Sequence, residues 1–229
     1  QQDGRKTTSE MLTQPRTLLL LSGGVESAVL LSQLRETGHH PVPMFAHYSQ
    51  RGSDAEHAAA AAAVAFIGAA EPLRLLDLRA EGANHQKVNR LHIPLPHRNL
   101  ALLSLALGWA STLQCTSLAL GLNKDDFGKD AAFKEAGSVR YTTGTVEFVT
   151  HFKALASVVA PEVTITLPQA ELTKAEVILE GARLGTPLAL TYSCMRGRPL
   201  HCGNCLQCRA RRVAFLDAGV EDVAYESEG

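Results

Sequence analysis

The stretch Thr17-Leu-Leu-Leu-Leu-Ser-Gly-Gly-Val-Glu-Ser-Ala-Val-Leu-Leu31 decides the fold. Leu18 to Leu21 form a short, wholly apolar run, as a central parallel strand covered on both faces requires. Ser22, Gly23 and Gly24 interrupt it, and apolar residues resume at Val25, Ala28, Val29 and Leu30, spacings that suit one face of a helix. Strand, Ser-Gly-Gly turn and helix start together make an anion site. The glycines let the backbone approach a ligand, and the unpaired N–H groups of the helix start favour phosphate. No Gly-Lys-Ser/Thr follows, so this is not a Walker loop. The competing reading of these residues alone is an ordinary glycine turn in an α/β protein.

Working outward, residues 1 to about 15 are polar and aperiodic and read as a disordered tail. The first helix is expected to end at Gly38, and Pro41 to His47 gives a second strand. Asp54 is the expected N-cap of an alanine-rich helix over Ala55 to Ile67, closed by Gly68. Leu73 to Leu78 reads as a third strand and residues 80 to 94 as an irregular surface loop. Asn99 to Leu113 is a strongly apolar helix, Thr116 to Leu122 a buried strand, and Cys115 beside it a plain core thiol. Val146 to Val159 (helix), Val163 to Leu167 (strand) and Lys174 to Leu184 (helix) complete the alternation. Strand alternating with helix, without hairpin signals, predicts a doubly wound parallel α/β sheet with a small C-terminal metal-binding segment. The expected division is a tail over 1–15, a nucleotide-binding domain over 16–190 and the metal segment over 191–229.

The chain has 229 residues, enough for one large α/β domain with an appendage. Its formal net charge of -1 gives no basis for broad attraction to nucleic acid or an anionic membrane. No apolar run approaches membrane-spanning length, the N-terminal residues show no secretory signal, and a cytoplasmic location is expected.

Cys194-Met-Arg-Gly-Arg-Pro-Leu-His-Cys202-Gly-Asn-Cys205-Leu-Gln-Cys208 is the strongest signal in the chain. The spacings let Cys202, Cys205 and Cys208 converge on one ion while Cys194 closes a tetrahedron, the closed four-thiolate set of structural Zn2+. A disulfide pair and an iron–sulfur cluster are the rival readings. His201 is surplus to the ligand count and reads as a surface residue.

Ser22-Gly-Gly-Val-Glu-Ser27 resembles the pyrophosphate loop of ATP pyrophosphatases, Ser-Gly-Gly-x-Asp-Ser. With the cysteine cluster, the chain resembles a divergent member of the 7-cyano-7-deazaguanine synthase family of the queuosine pathway. His47-Tyr48-Ser49-Gln50-Arg51 followed by Glu56 resembles the family's His-Tyr-x-Gln-Arg segment. Pro96-His97-Arg98-Asn99-Leu100 resembles its Pro-x-Arg-Asn motif, and Gly121 with Asp126-Phe127 its Gly-x-x-x-x-Asp-Phe segment. Leu172-Thr173-Lys174-Ala175-Glu176 resembles its Asn-Lys-x-Glu helix start, and Cys208-x-x-Arg211 the end of its zinc region. The resemblance spans about residues 17 to 215.

It implies an ATP-dependent, AMP-forming ligase that activates the carboxylate of 7-carboxy-7-deazaguanine, adds ammonia and dehydrates the amide to the nitrile. ATP and Mg2+ are expected on Leu21, Ser22, Gly23, Gly24, Val25, Glu26 and Ser27, with Ser22, Glu26, Ser27 and Lys174 catalytic. The deazaguanine acid is expected between Tyr48, Gln50, Arg51, Arg98, Asn99, Asp126 and Phe127, and Zn2+ on Cys194, Cys202, Cys205 and Cys208. No glutaminase region is recognisable, so ammonia or another amine is expected from outside, and a homodimer is the expected assembly. Two departures stand out: Glu26 replaces the family's Asp, and Gly128-Lys129-Asp130-Ala-Ala-Phe133 replaces its Tyr-Pro-Asp-Cys-Arg stretch. Two further readings therefore stay open: a ligase joining the activated acid to another amine, including a protein's, and a non-catalytic module binding nucleotide and zinc.

Overall fold

The structure, a computed structural model, describes residues 14–69, 71–88, 95–127, 144–223 and 225–226. Most of the expected N-terminal tail and the whole 128–133 departure lie outside the described residues.

Five parallel strands form one sheet in the order β3-β2-β1-β4-β5: β1 (Arg16–Leu20), β2 (His40–His47), β3 (Arg74–Asp77), β4 (Ser117–Ala119) and β5 (Thr164–Thr166). The helices around it include α1 (Val25–Glu36), α2 (Ser53–Ile67), α3 (Arg79–Val88), α4 (Arg98–Thr112), α5 (Val146–Val159), α6 (Lys174–Arg183) and α7 (Leu206–Ala218). The expected doubly wound parallel sheet is therefore present, with its strand order reversing between β1 and β4.

Both faces of the centre are covered, which is why β1 and β4 carry few polar residues. Leu18, Val42 and Leu118 face Leu103, Ala106 and Leu107 of α4 and Phe152 and Ala156 of α5. Leu19, Leu21, Phe45 and Ala119 face Leu30, Leu31 and Leu34 of α1 and Ala60 of α2. Each fully buried Leu contributes about 1.5–3 kcal/mol of transfer free energy, so the alternation along β1 locks its register. A third cluster joins Val25 and Val29 of α1 to Val177 and Ile178 of α6 and Phe215 of α7. Cys115 lies in the first cluster, a core thiol as its neighbours suggested.

Four expectations need correction. Residues 79–88 are helix α3, not irregular loop, and residues 89–94 lie outside the described residues. Gly52, not Asp54, is the N-cap of α2; Asp54 stands inside its first turn, where a negative charge suits the helix dipole. The strand over 116–122 pairs only at Ser117–Ala119, because the chain beyond turns to build the site. His201, read as a surface residue, is 5% exposed.

Candidate functional site

Ligands of open α/β sheets bind at the carboxyl ends of the strands where the order reverses. Here that point lies between β1 and β4, and the Ser-Gly-Gly turn leaves β1 there. Leu21, Gly23, Val25 and Ser27 face inward, whereas Ser22 is exposed and Gly24 and Glu26 are half-buried, so the turn presents its outer edge to solvent. Gly23 has φ 79°, and a Cβ on it would stand 2.2 Å from the Glu56 carbonyl oxygen. Only glycine fits this turn. No side chain caps α1, so its N-terminal N–H groups keep their anion-binding capacity. The hydroxyls gather beside them: Ser22 Oγ and Ser27 Oγ are 3.3 Å apart, and Ser27 Oγ donates to the Gly24 carbonyl at 3.1 Å.

Glu26 spans the mouth of this loop. Its Oε1 accepts from Lys174 Nζ at 2.5 Å and from Asn123 Nδ2 at 3.1 Å. The pair is largely buried, at 10% and 17% side-chain exposure. Lys174 is delivered by the start of α6, where Thr173 and Glu176 form a capping box, and its own N–H donates to Asp125. Asn123, 1% exposed, ties Glu26 to the turn after β4 and exchanges bonds with Asp126: its N–H donates to Asp126 Oδ2, and its Oδ1 accepts from Asp126 N. Phe127 follows half-buried. Gln169, fully buried, donates to the Glu26 carbonyl and to Gln33, while its Oε1 has no hydrogen-bond partner among the described residues. Asn123 and Gln169 were not among the expected site residues. A polar residue ending a buried strand marks Asn123; nothing in the sequence marks Gln169.

A second group gathers after β2. Tyr48 is buried, and its phenol oxygen accepts from Arg98 Nη1 at 2.9 Å. Arg98 Nε reaches Asn99 Oδ1 at 3.3 Å. Gln50 is fully engaged with the protein: Oε1 accepts from Tyr48 N, and Nε2 donates to the Ala46 carbonyl and to Glu56 Oε2. Arg51 is exposed, so it is the cation of this group that faces solvent. Helix α3 braces the turn from outside. Gln86 donates to the Ser49 carbonyl, and Gly82 lies so close that a Cβ would meet the Tyr48 carbonyl at 1.9 Å. The structure thus brings Tyr48, Arg98 and Asn99 together, and separately Glu26, Lys174 and Asp126 around Asn123.

The four cysteines converge, and no disulfide joins them. Their Sγ atoms all lie within 4.8 Å of one another, with Cys202 and Cys208 3.9 Å apart. Four sulfurs at about 2.3 Å from one tetrahedral ion stand about 3.8 Å from each other, so the set fits a single metal ion. A four-iron cluster interposes its own iron and sulfide between the cysteines and needs a wider set. Arg196 N donates to Cys194 Sγ and Cys205 N to Cys202 Sγ, both at 3.4 Å, which favours thiolates. Burial opposes ionisation of Cys202, yet the N–H groups of Cys205 and Asn204 prevail and bring it down to about 6.

His201 is part of this segment's packing. It lies between the rings of Tyr192 and Tyr225, and its Nε2 accepts from Ser193 N at 3.0 Å. Burial, then the Arg211 charge, hold it down to about 4, so it stays a neutral acceptor. The segment also touches the Ser-Gly-Gly turn, because Tyr192 N donates to the Gly23 carbonyl at 2.8 Å.

Among solved structures, the chain is similar to the U34-tRNA thiolase NcsA of Methanococcus maripaludis, solved with its 4Fe-4S cluster (TM-score 0.53, 18% identity, 89% of this chain and 65% of that one). It is also similar to NMN synthetase of Francisella tularensis (TM-score 0.53, 14% identity, 91% and 78%). At these identities the likeness establishes the fold alone. Sequence comparison reaches further. The 7-cyano-7-deazaguanine synthase 1 of Sphingopyxis alaskensis is 34% identical over 226 residues, covering 90% of this chain and 95% of that protein. The 7-cyano-7-deazaguanine synthase of Ralstonia nicotianae is 32% identical over 223 residues, covering 90% and 96%. The family described as Queuosine biosynthesis protein QueC matches residues 16–219, and with those relatives it settles the assignment: the chain belongs to the QueC family.

Proposed function

We propose that this chain is an ATP-dependent, AMP-forming ligase. It activates the carboxylate of 7-carboxy-7-deazaguanine, converts it to the amide with ammonia and, after a second activation, dehydrates the amide to the nitrile. The observation that carries this reading is the phosphate loop at the sheet's reversal point, in a chain whose curated relatives are named 7-cyano-7-deazaguanine synthase.

The substrate carboxylate attacks the α-phosphorus of ATP, the bond to the bridging oxygen breaks, and pyrophosphate leaves. N–H groups over Ser22 to Ser27 hold pyrophosphate beside Leu21, the Ser22 hydroxyl donates to it, and the Ser27 hydroxyl does so by turning from the Gly24 carbonyl. Lys174 neutralises charge from beside the loop, while Arg51 and Arg98 hold the acyl end. Ammonia displaces AMP from the acyl adenylate. In the second round the amide oxygen attacks ATP, and loss of AMP and the amide protons leaves the nitrile. The flat base lies against Tyr48 and Phe127, with Asp126 accepting its N–H groups and Gln50 and Asn99 fixing the walls. Glu26, the carboxylate on the loop, would hold Mg2+, which would supply positive charge against the phosphates. One Zn2+ on the four cysteines is structural, because no coordination position is left open. The assembly is a homodimer.

Incubation with ATP and 7-carboxy-7-deazaguanine is the test, with AMP and pyrophosphate measured and the product weighed by mass spectrometry. ADP and phosphate as the sole products, or AMP formation independent of the acid, overturn the reading. A product that stops at an amide, with ammonia or with a protein amine, establishes instead the second reading. Glu26 favours that alternative: it is one methylene longer than the family's Asp and is tied to Lys174.

A further inference from the structure

The backbone of Glu26 is fixed from two directions. Gln169 donates to its carbonyl, and the turn after β4 presses on the same peptide: a Cβ on Gly121 would stand 3.3 Å from the Glu26 carbonyl carbon and from Ser27 N. The side chain still has three torsions to settle, one more than an aspartate, and each free torsion blurs where the carboxylate sits. Two donors settle them, and both act on Oε1: Lys174 Nζ at 2.5 Å and Asn123 Nδ2 at 3.1 Å. Oε2 lies on the side of the loop, 3.7 Å from where a Cβ on Gly24 would stand.

The two donors are not equivalent. Lys174 carries a point charge on a flexible stem, and the reading above also sets it against the phosphates. Asn123 is 1% exposed and pinned by a second task. It opens a helical turn over 124–127, where its Oδ1 accepts from Asp126 N and its own N–H donates to Asp126 Oδ2, both at 3.1 Å. That is a reciprocal cap. Capping needs an acceptor, whereas Glu26 needs a donor. Ser, Thr and Asp also cap well, but of the four only Asn carries an acceptor and a donor on separate atoms. We propose that Asn123 is the positioning residue of the Glu26 carboxylate: it keeps Oε1 in place when Lys174 turns to the phosphates, so that Oε2 stays aimed at the loop, where Glu26 would hold Mg2+. The proposal rests on the reading above that ATP occupies this loop. It makes Asn123 and Glu26 a matched pair, because an aspartate at position 26, shorter by one methylene, draws back from the Asn123 amide and gains nothing from it.

Binding of α,β-methylene-ATP to the full-length, zinc-loaded protein, measured by calorimetry with and without Mg2+ and with no chelator present, tests this. The ratio of the two affinities is the Mg2+ gain. Asn123→Ser keeps the cap but loses the donor, and should lower the gain about tenfold, the scale of a hydrogen bond to a charged group. The same substitution in a Glu26→Asp background should change the gain by less than about twofold, a non-additive pair. Asn123→Ala should match Asn123→Ser in the gain while melting at a lower temperature, because it alone loses the cap. An unchanged gain in Asn123→Ser overturns the proposal. So does an equal fall in both backgrounds, or a fall in Asn123→Ala alone, since Asn123 then acts through the helical turn. If Asn123→Ser does not fold, the isosteric Asn123→Asp takes its place, and an equal change of the gain in both backgrounds overturns the proposal. A wild type that does not bind the analogue defeats the adenylating reading, and one that binds it no better with Mg2+ defeats the assignment of Glu26 to the metal. Both results are distinct from a normal gain that Asn123→Ser leaves untouched.

Discussion

At the scale of single residues, the Glu26–Lys174 contact is the one with the largest consequence. Two charges with little solvent exposure attract strongly, but each lost hydration to reach that position, so removing one partner leaves the other stranded. Lys174→Met should cost about 2–3 kcal/mol, below the range for fully buried pairs because both side chains retain some exposure. It should also slow AMP formation. A denaturant midpoint unchanged from wild type would falsify the structural part, and an unchanged rate the chemical part. Gly23 answers to geometry rather than charge. An alanine there takes on the left-handed conformation, at about 1–2 kcal/mol, and drives its Cβ into the Glu56 carbonyl. Gly23→Ala should therefore lower stability by about 2–4 kcal/mol in total, once overpacking is added, and weaken ATP binding in a calorimetric titration. Binding at wild-type affinity would mean that the turn can open without cost.

Among the elements, α7 and the chain after it depend on one buried guanidinium. Arg211 is fully buried; it pairs with Asp222, donates to Thr191, Ser193 and the Leu188 carbonyl, and lies over the Phe215 ring. Burial alone would raise the Asp222 carboxyl, but Arg211 and the Tyr225 hydroxyl outweigh it and hold the carboxyl below the usual range. A depressed carboxylate contributes stability that is complete above the unfolded pKa, about 3.9, and lost as pH falls through the lower folded value. Asp222→Asn should cost about 3–5 kcal/mol at pH 7 and progressively less below pH 4, read as melting temperature against pH; a pH-independent cost would assign the effect to packing. Elements with clear punctuation were legible in the sequence: the apolar run of β1, the Ser-Gly-Gly break, Gly68 closing α2 and Thr173 with Glu176 opening α6. Helix α3 was not, because Gly82 and a polar composition hide a helix whose task is to brace Tyr48. Nor was α7, since Cys205 and Cys208 read as ligands rather than as a helix start. The site divided in the same way. Its backbone features announce themselves through glycine and cysteine spacing, whereas Asn123, Gln169 and the buried His201 take their meaning from partners distant in the chain.

For the molecule as a whole, the Ser-Gly-Gly turn is supported from two sides, and the cysteine cluster joins both. From one side Tyr192, two residues before Cys194, donates its N–H to the Gly23 carbonyl, and its hydroxyl donates to the Arg198 carbonyl across the Cys194 turn. From the other, Ala55 and Ala59 of α2 pack on the cysteines while Glu56 in the same helix lies on Gly23. An ion that fixes the cysteines therefore fixes both supports, and the loop it steadies is the one proposed to hold ATP. Linkage makes the effect mutual: whatever factor the metal adds to ATP affinity, ATP adds to metal affinity. A coupling of about 1–3 kcal/mol, or roughly 5–150-fold, is the ordinary scale for such a connection. Zn2+ and a non-hydrolysable ATP analogue test it in both directions. Metal analysis should first find one zinc per chain. Chelation should then weaken analogue binding by about tenfold, and saturating analogue should slow transfer of zinc to a colorimetric chelator. Because stripped protein can lose its fold, the second arm is the decisive one: it starts from the loaded, folded chain. Zinc transfer at the same rate with and without the analogue would mean that the cysteine segment closes the fold without reaching the loop.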